Sequence, residues 1–373
     1  MPNIAFTGGG TGGHIYPGLA VAGVLRERAG DCRVFWIGSN RGMDRAIVEA
    51  AGIEFVGIPA GKLRRYLTLK TIPDAFRVLA AFFAARRVLK ERRADLLFSK
   101  GGFVSVPPCA AAASLGIPVL THESDFSPGL ATRINLRFVR KTSGLAFTAY
   151  RETRLPLPAD RIRLAGNPVR GAFRGADAAA GRRFLGLGPE SRILLVLGGS
   201  QGAREINDLV RDSLAGLLEH YTVVHQYGPE LSAPEAGSPA GENRYLPLAY
   251  IGSEMPDVLA AAELVMGRSG AGTIWEAATL GKPMLLIPLS GAGTRGDQVE
   301  NARYFAGIGA AEVLRGGDAT AENLLSRVRH LACDSELRER MAAAAERIGS
   351  LDGSAIIGDS IVETLRLNNV AFT

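Results

Sequence analysis

The sequence predicts an α/β fold built as two Rossmann-like domains, each around a parallel sheet. Three observations lead there. An apolar run opens into a glycine loop and then a helical pattern twice, at residues 4–6 with GGGTGGH (8–14) and at 193–197 with GGSQGA (198–203). Around these units, short apolar runs alternate with helical stretches, the pattern of a parallel sheet covered on both faces. The chain has 373 residues, about twice the usual domain size.

In chain order, residues 4–6 read as the first strand, and 15–28 carry helical periodicity after the first glycine loop. A start without a basic leader segment, running straight into glycines, reads as a strand and not as a signal peptide. Further strands are expected at 33–37, 95–98 and 118–121, and a helix opens at Thr71 and Pro73. Gly166-Asn167-Pro168 breaks the pattern within a linker at 164–173, which sets the domains at 1–165 and 166–353. The second half then restarts with a strand at 193–197, a helix from about Arg204, and strands at 221–226, 263–266 and 284–288. Residues 230–243 read as an exposed loop, and 354–367 as an amphipathic helix that suits either domain.

Composition excludes several classes of protein. Three cysteines, Cys32, Cys109 and Cys333, are too few and too scattered for a disulfide framework or a CxxC site. No apolar stretch is long enough to span a bilayer. The net charge of +6 conceals an asymmetry: residues 1–165 hold 24 Lys/Arg against 12 Asp/Glu, and the remainder 19 against 25. The first half therefore suits an anionic partner. Within it, residues 62–93 carry ten basic and two acidic side chains.

In that basic stretch, Ile72, Phe76, Leu79, Phe83, Arg86, Lys90 and Arg93 fall on one helical face, apolar first and basic later. A second row of Val78, Phe82, Ala85 and Leu89 flanks it. One row can face the core and leave the other for an anionic membrane surface. Leu67, Leu69, Ile72, Phe76, Leu79, Phe82 and Phe83, with Arg64, Arg65, Lys70 and Arg86, are the expected contact residues. Nucleic acid is not expected, because no reader motif or stacking platform accompanies the charge.

Ligands of open parallel sheets bind beyond the carboxyl ends of the strands, against helix N-termini. GGGTGGH contains GxGxxG at Gly8, Gly10 and Gly13, but a dinucleotide site also needs an acid at the end of the second strand. That strand ends Ile37-Gly38-Ser39-Asn40. The loop suits a phosphate better, with His14 at the helix entrance as a base or hydrogen-bond partner. Lys100-Gly101-Gly102-Phe103 is a second, basic glycine loop, and His122-Glu123-Ser124-Asp125 follows another strand. In the second half, Ser200 and Gln201 in GGSQGA suit a diphosphate. Ala271, Gly272, Thr273 and Glu276 open a helix, where a carboxylate can clasp a ribose diol, and Thr294–Asn301 offers groups for sugar hydroxyls. No Asp-x-Asp and no His/Cys cluster of metal-ligand spacing occurs, so neither a metal nor another cofactor is expected.

Read together and in this order, GGTGGH (9–14), the 100–103 loop, HESD (122–125), GNPVR (166–170), GGSQGA (198–203), SGAGTIWE (269–276) and RGDQ…NA (295–302) resemble the MurG family. The resemblance implies a GT-B fold, two Rossmann-like domains facing across a cleft, with the helix at 354–373 returning to the first domain. It implies inverting transfer of N-acetylglucosamine from UDP-N-acetylglucosamine to an undecaprenyl-linked muramoyl-pentapeptide, converting lipid I to lipid II at the cytoplasmic face of the membrane, in company with cell-wall synthesis proteins. By the same resemblance the second domain holds the donor. Ile251 meets uracil through its backbone, Arg170 and Ser200 meet nucleotide and diphosphate, and Gln201, Ala271, Gly272 and Thr273 line the site. Glu276 meets the ribose and Gln298 the sugar. Thr11, Gly12, Gly13 and Asp125 reach the donor from the first domain. Gly10, Gly12, Gly13, His14, Lys100, Gly101, Gly102 and Phe103 cradle the acceptor diphosphate, with His14 and then Asp125 as catalytic base. Three departures from the family pattern occur, at five positions: Ser124-Asp125 replaces Gln-Asn, Phe103 a frequent tyrosine, and Gly272 and Trp275 other residues. Another UDP-sugar enzyme of this fold, a lipid glycosyltransferase or an epimerase, is the alternative within enzymes, and a non-catalytic nucleotide-sugar-binding module the alternative outside them.

Overall fold

The computed structural model describes residues 1–10, 12–30, 32–40, 44–59, 71–199, 201–229, 244–291 and 294–370. The chain divides into two compact units, Met1–Arg170 with Asp352–Thr373, and Gly171–Leu351.

Seven strands form the first sheet: β1 (Asn3–Thr7), β2 (Arg33–Ser39), β3 (Glu54–Ile58), β4 (Leu96–Ser99), β5 (Val119–Glu123), β6 (Ala146–Thr148) and β7 (Ile162–Leu164). They lie in the order β3-β2-β1-β4-β5-β6-β7, every pairing parallel. Such strands are buried on both faces, and β1, β2 and β4 are accordingly apolar at most positions, while β5 is fully buried although it ends in Thr121, His122 and Glu123. The helices α1 (Gly12–Arg28), α2 (Asp44–Ala50), α3 (Thr71–Glu91), α4 (Val106–Ser114) and α5 (Leu130–Lys141) intervene, and the last helix, Gly353–Leu367, also belongs to this unit. One core cluster joins Ile4, Phe6, Trp36 and Phe98 to Ile357, Ile361 and Leu365 of that last helix. Another gathers Ala81, Ala85 and Leu89 of α3 against Phe35, Ile37 and Leu97.

The second sheet has six parallel strands: β8 (Ile193–Leu197), β9 (Thr222–Gln226), β10 (Tyr245–Leu248), β11 (Leu264–Gly267), β12 (Met284–Leu286) and β13 (Ala311–Val313). Their order is β10-β9-β8-β11-β12-β13. Both sheets therefore reverse direction of strand order beside their first strand, between β1 and β4 and between β8 and β11. These are the switch points where open α/β sheets bind ligands.

Candidate functional site

At the first switch point the chain leaves β1 into the loop at residues 8–14 and leaves β4 into 100–103. The Lys100 N–H donates to Thr7 O at 2.8 Å, so the two loops diverge from adjacent strand ends. Gly10, Gly101 and Gly102 have φ of +90°, +89° and +77°, a region that side chains resist. The close packing adds a second requirement. A Cβ on Gly102 would lie 3.1 Å from His14 Cδ2, and one on Gly10 would lie 3.1 Å from the Phe103 ring. His14, Gly101, Gly102 and Phe103 are thus brought together as the motifs suggest. Helix α1 reaches back to Gly12, so His14 sits inside its first turn and not ahead of it. Thr11 lies outside the described residues.

Beneath the 100–103 loop runs a buried polar network. Ser99 Oγ accepts from the Gly101 N–H and from Asn135 Nδ2, both at 3.2 Å. Asn135 Nδ2 also donates to Ser105 Oγ at 2.8 Å, and Ser105 Oγ–H donates to Gly102 O at 2.8 Å. Lys100 itself is 1% exposed. Its Nζ has no hydrogen-bond partner among the described residues, and burial pushes its pKa down to about 8 against the pull of Glu123 and Asp125. The 100–103 loop therefore holds its cation below its surface. Buried His122 directs Nε2 at Gly166 O, 2.9 Å away. Burial first, and the Lys100 charge second, hold its pKa well below the usual value, so the ring is neutral. The Glu123 carboxylate accepts the N–H groups of Asp125 and Gly129, both at 3.0 Å, and so fixes the turn that carries half-buried Asp125.

Asp44, at the start of α2, is buried against the first glycine loop and accepts the Gly10 N–H at 3.2 and 3.3 Å. Burial raises its pKa, opposed by the backbone N–H groups of Gly10, Asp44 and Ser39. A Cβ on Gly9 would stand 2.1 Å from Asp44 Oδ2. The Gly10 N–H, expected to meet an acceptor phosphate, is committed to this carboxylate. Sequence reading missed Asp44 and Asn135. An aspartate at a helix start reads as an ordinary cap, and a mid-helix asparagine carries no local signal. Arg170, the end of the GNPVR motif, groups with the first unit and stacks over the Tyr16 ring at 4.8 Å.

The second switch point repeats the arrangement. The Arg268 N–H donates to Leu197 O at 3.2 Å, placing the 198–203 and 268–273 loops at adjacent strand ends. A Cβ on Gly267 would lie 2.2 Å from Leu197 O, so only glycine permits that approach. Arg268 is anchored from both sides, donating to Ile287 O at 3.1 Å and to Glu205 Oε2 at 2.6 Å. Ala271, Gly272 and Thr273 form the first turn of the helix Ala271–Thr279, whose amides suit an anion, and half-buried Glu276 lies in its second turn. Trp275 is fully buried and meets Phe305 edge-on, so this departure from the family pattern is a core residue. Gln298 Oε1 accepts the Leu289 N–H at 2.9 Å, and its carbonyl accepts Ser269 Oγ–H at 2.7 Å. Its side chain thus braces the segment it was expected to present to a sugar. Gln201 is exposed, and Ile251 is buried with its N–H donated to Gln226 Oε1 at 2.9 Å. Ser200 and the 230–243 loop lie outside the described residues.

On α3, Phe76, Leu79 and Phe83 are 69%, 53% and 60% exposed, with Arg86 half-buried beside them. Phe82, counted with the membrane residues from its sequence position, instead is half-buried against the first-unit core. It flanks Ala81 and Ala85 on the inward face. Leu67, Leu69, Arg64, Arg65 and Lys70 lie outside the described residues, as does the side chain of Ile72. Among the described residues no helix is long and apolar enough to cross a membrane. None of their His, Cys, Asp and Glu side chains gather in a group of three that could hold a metal ion.

Two parallel Rossmann-like sheets, each with paired glycine loops at its switch point, form the GT-B architecture of glycosyltransferases. Solved structures agree. MurG of Acinetobacter baumannii superposes with a TM-score of 0.75 at 26% identity, covering 97% of this chain and 100% of that one. The glycotransferase of kitacinnamycin, at 19% identity and a TM-score of 0.73, shares the fold. Residues 4–143 match the N-terminal domain of glycosyltransferase family 28 and residues 193–354 its C-terminal domain. The chain belongs to the MurG family within glycosyltransferase family 28. A relative from Treponema denticola is 44% identical over 95% of this chain and 94% of its own length. One from Staphylococcus carnosus is 39% identical over 91% and 92%. Both are named UDP-N-acetylglucosamine–N-acetylmuramyl-(pentapeptide) pyrophosphoryl-undecaprenol N-acetylglucosamine transferase.

Proposed function

We propose that this protein transfers N-acetylglucosamine from UDP-N-acetylglucosamine to the muramic 4-hydroxyl of undecaprenyl-diphosphoryl-muramoyl-pentapeptide, the step from lipid I to lipid II in peptidoglycan synthesis. The observation that carries the reading is the pair of glycine loops at each switch point, in a chain 44% identical over almost its whole length to a transferase of that name. The acceptor oxygen attacks the anomeric carbon as its proton passes to His14, with Asp125 the second choice of base. The bond from that carbon to the UDP oxygen breaks with inversion, and UDP departs as the anion. The helix N-terminus at Ala271–Thr273 and Arg170 offset the charge that develops on the diphosphate. Gly12, Gly13, the 101–103 loop and the buried Lys100 charge receive the acceptor diphosphate. The enzyme works from the cytoplasmic face of the membrane, held there by Phe76, Leu79 and Phe83 and the basic residues around them, where cell-wall synthesis proteins are its neighbours.

The test is UDP release from UDP-N-acetylglucosamine with a short-chain lipid I analogue, with the disaccharide product identified by mass spectrometry. His14→Ala should lower turnover about 100-fold or more while UDP binding persists. No release with the analogue, but release with diacylglycerol, overturns the reading.

A further inference from the structure

Gln226, at the carboxyl end of β9, is 3% exposed and spends both ends of its amide on other loops. Its Nε2 donates to Gly199 O at 3.2 Å, in the loop after β8. Its Oε1 accepts the Ile251 N–H at 2.9 Å, in the segment after β10. The backbone around it is fitted to these links. A Cβ on Gly202 would stand 2.0 Å from Tyr227 O, and one on Gly228 2.4 Å from Gln201 O. The Tyr227 and Gly228 N–H groups donate to Leu248 O and Ala249 O, both at 3.0 Å.

One residue earlier, His225 anchors the strand from below. Its Nε2 lies 3.1 Å from Asn207 Oδ1, and Asn207 Nδ2 donates to Tyr227 O at 3.1 Å. Since Asn207 presents its oxygen to the ring, the imidazole proton sits on Nε2. Nδ1 then accepts from the Tyr245 hydroxyl at 3.0 Å. The end of β9 is thereby held rigid while Gln226 reaches sideways in both directions.

We propose that Gln226 is a positioning residue that sets base selectivity in the donor site, a role that rests on the donor reading of the second unit. The family resemblance has Ile251 meet the base through its backbone, and with its N–H taken by Gln226 the carbonyl oxygen is the group left for that contact. Among the described residues no backbone N–H donates to it. An acceptor there matches the N3–H of uracil and repels the N3 lone pair of cytosine, whose discrimination rests on a buried polar group left unpaired. The second bond, to Gly199 O, ties that choice to the glycine loop that receives the diphosphate, so base and diphosphate are read as one rigid unit.

Two variants separate the two bonds. Gln226→Glu keeps an oxygen for the Ile251 N–H but faces Gly199 O with a second oxygen. Gln226→Met keeps neither. Calorimetric binding of UDP and CDP to the full chain is the primary readout, with kcat and KM on the lipid I analogue alongside. Gln226→Met should weaken UDP about 10-fold, narrow the preference for UDP over CDP, and raise the donor KM with kcat little changed. Gln226→Glu should weaken UDP while keeping the preference for UDP over CDP. Unaltered UDP affinity and selectivity in both variants overturns the proposal alone. So does an equal loss of UDP and CDP affinity in Gln226→Met, or a fall in kcat at unchanged KM. Wild-type protein that binds no UDP overturns the donor reading, and this proposal with it.

Discussion

Lys100 is held in the fold at a cost that pH reveals. Its folded pKa of about 8 lies below the ordinary 10.5, because burial disfavours the charged ammonium more than Glu123 and Asp125 favour it. The folded state thus resists the proton that the unfolded chain accepts. The penalty is full below about pH 8, shrinks as pH rises, and is gone above the unfolded value of 10.5. A shift of this size corresponds to roughly 3 kcal/mol. Lys100→Met should therefore raise unfolding stability in urea at pH 7, and the gain should close as pH approaches 10.5. It should also slow turnover of the acceptor while UDP affinity stays put. A variant less stable than wild type at pH 7 would count against a penalised lysine. Motifs made Lys100 and His14 visible in the sequence because glycine needs and a basic or imidazole neighbour leave a local signature. Asp44, Asn135 and Gln226 left none, since each acts on a loop 34, 34 and 27 residues away in the chain, measured to Gly10, Gly101 and Gly199. Asn135 reaches Gly101 only by way of Ser99.

Among the elements, α3 shows how one helix divides its duties. Ala81, Ala85 and Leu89 repeat at four-residue steps and are buried, while Phe76, Leu79 and Phe83 stay exposed on another face. Exposed aromatic rings followed within two turns by Arg86, Arg87 and Lys90 are the face we propose for an anionic lipid surface, which would take the rings among its acyl chains and the cations at its headgroups. Phe76→Ser with Phe83→Ser should therefore cut co-sedimentation with phosphatidylglycerol vesicles and leave the melting temperature close to wild type. Phe82→Ser should do the reverse, because its ring lies against the core. Equal vesicle binding by wild type and the double variant would remove lipid from the reading of this face. The two rows of α3 were legible from their three- and four-residue spacing, although Phe82 was counted with the outward residues and lies inward. Strands β3, β6, β7, β10 and β13 were not. They are three to five residues long, and β10 carries Pro247. Each is an outer or near-outer strand whose pairing is decided by the sheet it joins, not by its own few residues.

At the scale of the whole chain, the first unit is assembled from two distant stretches, and the second from one. The first unit carries 26 Lys/Arg against 15 Asp/Glu, the second 17 against 22, so the charge asymmetry follows the structural division. The last helix completes the basic unit. Gly358 packs against Val24 of α1, where a Cβ would come within 3.0 Å of Val24 Cγ1. Ile357, Ile361 and Leu365 are buried in the core with Phe6 and Trp36, and Arg163 donates to Ser360 Oγ and Glu363 Oε2, both at 2.7 Å. Residues separated from β1 by more than three hundred positions thus support the floor on which the first glycine loop stands. Ile361→Ala removes a fully buried side chain from that floor and should cost about 2–5 kcal/mol of the first unit's stability. Hydrogen exchange read peptide by peptide should show faster exchange in β1, β2 and α1, with little change in β8, β9 and the helix Arg204–Leu218. UDP affinity should fall less than turnover of the lipid acceptor, because most of the groups proposed for the donor belong to the second unit, whereas Arg170, Gly12 and Gly13 belong to the first. Exchange accelerated equally in both units would mean that the last helix does not serve the first unit alone.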